Sequence, residues 1–401
     1  IDSQAVRLME KAAQKVMGGL VDLHGKSLTE KPEVISFAGG LPAPELFPIE
    51  EMKQVDQAIY EKEGRQAVQY GTTEGYVPLR EEIAKRMKKS FFVDCEPKDI
   101  VVTTGSQQAI FLTGMLTLDK GDAVVVENPT YLGALSAYVP YEAEFIGVDA
   151  DEEGMIMSEL EKTLQENKNV KLIYVVPNFS NPTGKTWSLE RRKQLLEMAK
   201  KYDVLIAEDN PYGDIRFSGE PVPEIKSMDD EGRVIYMGSF SKVLFAGLRV
   251  GFTVSSKEIA DYFELFKQGV DLQSNEFAQL QIAGYLKNYD LDKQVQRIVK
   301  NYSVKRDLMC KIIDEKFPKS VKRTNPEGGM FVWIELPENI DASVLLEKAV
   351  EEIGVGYVPG GPFYADGSHK NTIRLNFSTV TAEQIEEGMT RFAKLLHEEL
   401  D

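Results

Sequence analysis

Cysteine is almost missing: Cys95 and Cys310 are the only two in 401 residues. Two thiols cannot form a disulfide framework, and such usage fits a reducing setting, the cytoplasm. Histidine is nearly as scarce, with His24, His369 and His397 all away from any motif. Metal centres and histidine-activated nucleophiles thereby lose their usual donors. No apolar run approaches the roughly 20 residues that a membrane-spanning helix needs. Basic charge is in deficit as well, 47 Lys and Arg against 64 Asp and Glu, for a net charge of −17. A chain so acidic is a poor partner for nucleic-acid phosphates. It can still take a small anion, because a few arginines focus positive potential inside a cleft. No internal repeat or low-complexity stretch is visible.

What is present is ordinary globular composition, 42% hydrophobic and 28% charged, over a length sufficient for two domains. From Ile100 to Ser255 short apolar runs alternate with amphipathic ones. IVVT, DAVVVE, VKLIYVV, DVLIAED, RVIYMGS and VGFTV read as strands. Between them, Gln107 to Leu118, Ser188 to Lys201 and Lys257 to Lys267 have helical periodicity. Such alternation predicts an α/β fold with a mainly parallel sheet flanked by helices. A long charged helix is expected from about Asp290 to Glu315. After it, GGMFVWIELP, VGYVPGG and TIRLNFS read as strands of a smaller α+β domain.

The most informative segment is SFSKVLFAGLRVGF, Ser239 to Phe252. Lys242 stands there between Ser239, Ser241 and Arg249 on an otherwise apolar run. Partial desolvation disfavours a lysine's charged form, and a neutral amine can condense with an aldehyde. Hydroxyls and a guanidinium beside it suit a dianionic phosphate. These are the requirements for holding pyridoxal 5'-phosphate through a Schiff base. Two further motifs, NPTG (Asn181 to Gly184) and EDNPYG (Glu208 to Gly213), directly follow VKLIYVVP and DVLIA. Both are expected at the carboxyl ends of buried strands, where open α/β sheets bind ligands. In TTGSQQA, Gly105, Ser106 and Gln107 lie between a strand and a helix start, a geometry whose amides receive phosphate.

Together these motifs resemble the aspartate aminotransferase superfamily, fold type I of the pyridoxal phosphate enzymes, from SFAGGLPAPELFP to TIRLNFS. The similarity is greatest to its α-aminoadipate, kynurenine and aromatic aminotransferases. It implies a seven-stranded sheet in a large domain over 51–290. A small domain would span 291–401, joined by residues 1–50. Lys242 would be the Schiff-base lysine and proton carrier. Asp209 would pair with the pyridinium nitrogen, although an Asp before Asn-Pro is also a common helix cap. Asn181 and Tyr212 would bond the cofactor's phenolic oxygen, and Tyr131 would stack on its ring. Arg374 would grip the substrate α-carboxylate, with a backbone contact from Gly39 and Gly40; an ordinary ion pair and an ordinary turn are the plainer readings of these. Tyr70 would reach a partner subunit's phosphate, making the protein a homodimer with shared active sites.

The expected reaction is transfer of an amino group from an L-amino acid to a 2-oxo acid such as 2-oxoglutarate, in two half-reactions. Relatives selective for α-aminoadipate have an arginine in the N-terminal helix, but Gly18 to Val34 has none, and Lys26 lacks a comparable fork. An aromatic or apolar amino acid, or a broad range, becomes the expectation. A β-lyase shares the same ring-binding residues, so that alternative stays open. The effector domain of a transcription regulator would need a DNA-binding module, for which the 35 residues before SFAGG are too few. An inert scaffold would have no use for these residues together.

Overall fold

Valine- and isoleucine-rich runs form the central sheet of the computed structural model, which describes residues 33–400. Lys26, His24 and most of the Gly18 to Val34 stretch lie outside the described residues. Among the described residues the order begins with β1 (Ile35–Ser36), α1 (Ile49–Ala67) and α2 (Val77–Phe91). The alternating region begins with β2 (Ile100–Thr104), α3 (Gly105–Thr117), β3 (Ala123–Asn128), α4 (Leu132–Tyr138), β4 (Glu144–Asp151) and β5 (Gly154–Met155). It continues through α5 (Met157–Glu166), β6 (Val170–Val175), α6 (Leu189–Tyr202), β7 (Leu205–Asn210), β8 (Val234–Ser239), β9 (Val250–Val254) and α7 (Lys257–Val270). Helices α8 (Glu276–Asn288) and α9 (Leu291–Lys316) follow. The remainder is β10 (Lys322–Arg323), β11 (Phe331–Glu335), α10 (Ala342–Ile353), β12 (Val355–Gly356), β13 (Val358–Pro359), β14 (Thr372–Asn376) and α11 (Ala382–Leu400).

The large sheet has the order β2-β9-β8-β7-β6-β3-β4-β5. Seven of these are long strands, as expected; the two-residue β5 hairpins onto the edge strand β4 and makes eight. Pairings β3–β4, β3–β6, β6–β7 and β7–β8 are parallel. Only β9 and β5 run against their neighbours. Side chains of β6 alternate between faces: Leu172 and Tyr174 join one apolar cluster, Ile173 and Val175 another. Both faces are thus covered, which is why the strands read as continuous apolar runs. Ser188 and Ser256 cap α6 and α7, accepting from the amides of Arg191 and Ile259.

A second sheet, β10-β11-β14-β13, is antiparallel throughout. Strand β1 pairs in parallel with β12, Ile35 opposite Val355, tying the start of the described chain to this part of the fold.

One buried charge pair braces the segment after β6. Arg192 of α6 is 0% exposed and donates to Asn178 Oδ1 at 2.7 Å and to the carbonyls of Pro177 and Trp187 at 3.2 Å. Its charge is met by Glu224 at 3.3 Å, which also accepts from Asn178. Breaking a fully buried pair from one side strands the other charge, at a cost of about 3–5 kcal/mol. We expect Arg192→Ala to lower unfolding stability by about that amount; an unshifted denaturation midpoint would show that the pair does not brace this segment.

Candidate active site

The strands β2, β8, β7, β6 and β3 share a direction, so their carboxyl ends lie along one edge of the sheet. A cavity of about 190 Å³ opens there. Its lining includes Lys242, Asp209, Tyr212, Asn181, Tyr131 and Arg374, together with Ser106, Gln107, Ser239, Ser241, Arg249 and Gly40.

Register explains how distant residues meet. Because β9 pairs with both β8 and β2, Gly251 lies opposite Ser239 on one side and Thr103 on the other. The loop from β8 to β9, which bears Lys242, is therefore held against the turn from β2 into α3. Gly105 adopts φ +72°, and a Cβ on it would run into the Arg249 guanidinium. A Cβ on Gly251 would stand 2.6 Å from the Ser106 amide nitrogen. Only glycine permits this approach. Arg249 Nη1 donates to Ser241 Oγ at 3.2 Å, and the Ser241 amide donates to Ser239 Oγ at 3.1 Å. The result is a cup of hydroxyls, a guanidinium and a helix N-terminus, each suited to a phosphate.

Asp209, in β7, is 1% exposed. Its Oδ2 accepts from the Tyr174 hydroxyl at 2.7 Å, while Oδ1 meets no hydrogen-bond partner among the described residues. Burial pushes its carboxyl up to about 7, against the opposing pull of the Tyr174 hydrogen bond. A buried acceptor left over in this way fits a protonated ring nitrogen as its missing donor. The residues present thus fit pyridoxal phosphate.

Lys242 Nζ donates to the Gly40 carbonyl at 2.7 Å and lies 5.9 Å from the Tyr212 ring centroid. The Tyr212 ring meets Phe331 edge-on at 5.9 Å, and burial pushes its hydroxyl well above the usual tyrosine range, partly offset by a hydrogen bond with Asn181. Tyr131 donates to Gln107 Oε1 at 3.2 Å, and Gln107 Nε2 donates to the Gly133 carbonyl at 2.7 Å. Arg374, in β14, reaches across from the second sheet. Its Nη1 donates to Asn181 Oδ1 at 3.0 Å and its Nη2 to the Ala38 carbonyl at 2.8 Å. Its guanidinium lies 4.5 Å from the Phe331 centroid and 5.4 Å from that of Phe363.

Three candidates stand apart from the lining. Gly105 shapes the cup from behind. Gly39 lies between Ala38 and Gly40, whose carbonyls serve Arg374 and Lys242. Tyr70 is 81% exposed on the loop before α2, away from this cavity. Conversely, Leu132, Val176, Pro211 and Phe363 line the cavity without having been singled out in the sequence. Leu132 and Val176 adjoin recognised motifs, but Phe363, in GGPFY, is marked by nothing local. Tyr174, which positions Asp209, is hidden in an apolar strand.

The sequence profile described as aminotransferase class I and II matches residues 34–392. The aromatic-amino-acid aminotransferase 1 of Thermococcus litoralis is 48% identical over 377 residues, 93% of this chain and 90% of that one. The kynurenine aminotransferase of Pyrococcus horikoshii, crystallised with PMP, superposes with a TM-score of 0.90 at 43% identity, covering 100% of this chain and 96% of that one. The α-aminoadipate aminotransferase LysN of Thermus thermophilus, complexed with N-(5'-phosphopyridoxyl)-L-leucine, superposes at 0.86 with 39% identity and 94% of each chain.

The raised Asp209 carboxyl has a consequence for stability. Between its ordinary 3.8 and about 7, the folded protein binds a proton that the unfolded chain has lost. Stability of the cofactor-stripped protein therefore falls as pH rises through that window. Asp209→Asn, which mimics the neutral acid, should match the wild type at pH 4 and exceed it at pH 8 by about 1–3 kcal/mol. Parallel stability curves for the two stripped proteins across this pH range would refute the assignment.

Proposed function

This chain belongs to the class I and II aminotransferases, and we propose that it moves the amino group of an aromatic or apolar L-amino acid to a 2-oxo acid such as 2-oxoglutarate. The observation that supports this most is one cavity lined by Lys242, by Asp209, whose buried Oδ1 has no partner among the described residues, and by Arg374. Pyridoxal phosphate, when bound, supplies an aldehyde for the substrate amine and a ring that withdraws electrons from Cα.

The chain's own residues divide the rest of the work. Ser106, Gln107, Ser239, Ser241 and Arg249 hold the phosphate, with Gly105 allowing its close approach. Asp209 keeps a proton on the ring nitrogen, because its Oδ1 needs a donor and Tyr174 holds Oδ2 in place. Asn181 and Tyr212 orient the ring's phenolic oxygen, and Tyr131 covers its face. Arg374 takes the substrate α-carboxylate bidentately, which sets Cα within reach of Lys242. Lys242 Nζ would take and return the proton at the substrate Cα, a role that contributes about 10²–10⁴-fold.

The apolar side of the cavity favours apolar substrates. Leu132 and Phe363 line it and pack with Ala38, Trp333 and Tyr364. An aromatic or aliphatic side chain buried there gains from transfer out of water. The same aromatic wall would leave a distal carboxylate without a fork to meet it.

The proposal includes a homodimer in which Tyr70 serves the partner's phosphate. Exposed apolar neighbours support it: Val68 is 72% and Leu272 58% exposed, and the loop amide of Gly71 donates to Gln273. A monomeric mass in solution would remove this part. It also keeps a large cofactor-binding domain over 51–290 and a small one over 291–401, supported by the β1–β12 pairing that ties Ile35 and Ser36 to the latter. A cytoplasmic setting is part of the same reading, supported by the unpaired thiols of Cys95 and Cys310. No helix among the described residues is long and apolar enough to cross a membrane.

The deciding experiment mixes the cofactor-loaded protein with single L-amino acids and no acceptor, following the cofactor's absorbance. Conversion to the amine form, reversed by 2-oxoglutarate, is the expected result and ranks the donors. Pyruvate and ammonia released from a cysteine conjugate without an acceptor would mean lyase chemistry instead. In the same assay Lys242→Ala should slow conversion by at least about 10²-fold. Arg374→Ala should raise the half-saturating amino acid concentration about 10- to 100-fold, the loss of one or two charge-assisted hydrogen bonds. Unaltered affinity would mean that another group holds the carboxylate.

A further inference from the structure

A carboxylate stands directly behind the turn proposed to receive a dianion. Asp271 closes the C-terminus of α7, its amide donating to the Lys267 carbonyl at 3.0 Å. Its Oδ2 accepts from Gln108 Nε2 at 2.6 Å and from Thr104 Oγ1 at 3.3 Å. Thr104 immediately precedes Gly105, and Gln108 sits in the first turns of α3. Gln108 Oε1 in turn accepts from the Thr104 amide at 2.8 Å, and Thr104 Oγ1 lies 3.2 Å from Ser274 Oγ. An acceptor-only carboxylate dictates which way the Gln108 amide faces, and so shapes the entry to α3.

That service brings a negative charge toward the phosphate cup. Lys267 answers it: the side chain is 0% exposed, and Nζ donates to Asp271 Oδ1 at 2.5 Å. Asp271 itself is 26% exposed, so solvent screens only part of its field. Desolvating a lysine is costly, and a buried pair is weak evidence for stability by itself. Here the pair abuts an anion site, where its neutrality has a use.

We propose that Lys267 is a positioning residue for cofactor binding, neutralising Asp271 so that this carboxylate can order the Thr104–Gln108 turn without repelling the phosphate. This rests on the reading above that Gly105, Ser106 and Gln107 receive the phosphate of pyridoxal phosphate. Lys267 touches neither cofactor nor substrate; its effect passes through Asp271 and Gln108.

The test compares wild-type holoenzyme with Lys267→Met, Asp271→Asn and the double variant. Each is dialysed, the retained pyridoxal phosphate is measured by absorbance, and the stripped protein is titrated back with cofactor and with inorganic phosphate as competitor. Thermal stability is recorded in parallel. Lys267→Met should weaken cofactor binding roughly tenfold, as one partly screened charge would. Adding Asp271→Asn should restore it to within about threefold of wild type, although the ion pair stays broken. Asp271→Asn alone should bind cofactor and inorganic phosphate at least as tightly as wild type, a comparison that holds even if Lys267→Met fails to fold. Equal retention by Lys267→Met, further loss in the double variant, or weaker binding by Asp271→Asn would each overturn this inference while leaving the aminotransferase reading intact. A wild-type protein that holds no pyridoxal phosphate would overturn both.

Discussion

The antiparallel insertion of β9 between β8 and β2 is the constraint on which the cavity depends. Among strands that otherwise share a direction, it lets a short loop return the chain at the sheet's carboxyl edge, where a parallel crossover would have needed a helix. That loop bears Lys242, and the same register sets Gly251 against Gly105 and Ser106. The cup around Ser241 and Arg249 and the Lys242 amine are thus parts of one hydrogen-bonded arrangement. Their separation is fixed by strand pairing, which is stiffer than any side-chain contact.

Around that frame the protein keeps several polar groups out of water, each for a separate reason. Arg192 and Glu224 brace the chain behind Asn181. Tyr174 holds one oxygen of Asp209, and the other meets no partner among the described residues. Arg374 crosses from the second sheet, lying on Phe331 and bonded to Asn181 and Ala38. A buried polar group with all its partners met needs no ligand to explain it; one with a partner missing calls for an explanation, which at a cavity wall a ligand can supply. Asp209 is of the second kind, and its lack is matched by the chemistry expected of a pyridine nitrogen. The Lys267–Asp271 pair is of the first kind, yet its neutrality has value because of what lies in front of it.

Much of this was readable from residue order because the motifs are local. Each of the strands IVVT, VKLIYVV and DVLIAED is buried on both faces, so hydrophobicity alone marks it. Lys242 and Asn181 follow such strands by a few residues and Asp209 lies at the end of one, and strand ends need no long-range knowledge. Strand β4 escaped notice because EFIGVDAD lies near the sheet's edge, half-exposed and acidic, with no apolar run to announce it. Phe363 and Tyr174 escaped because an aromatic in an apolar setting looks the same whether it lines a cavity or fills a core.

By itself, the sequence determined the α/β class and the ends of the principal strands and marked the candidate site residues, since these follow from hydrophobic period and from side chains that certain chemistry requires. Tertiary structure alone decided which groups share one cavity. Arg374 and Asn181 are 193 residues apart and bond at 3.0 Å; Gly40 and Lys242 are 202 apart and bond at 2.7 Å. Such contacts depend on strand register and on how two sheets abut. Asp209 shows the division most plainly: its motif marked it as a candidate, but only burial among packed strands left it a single unanswered oxygen.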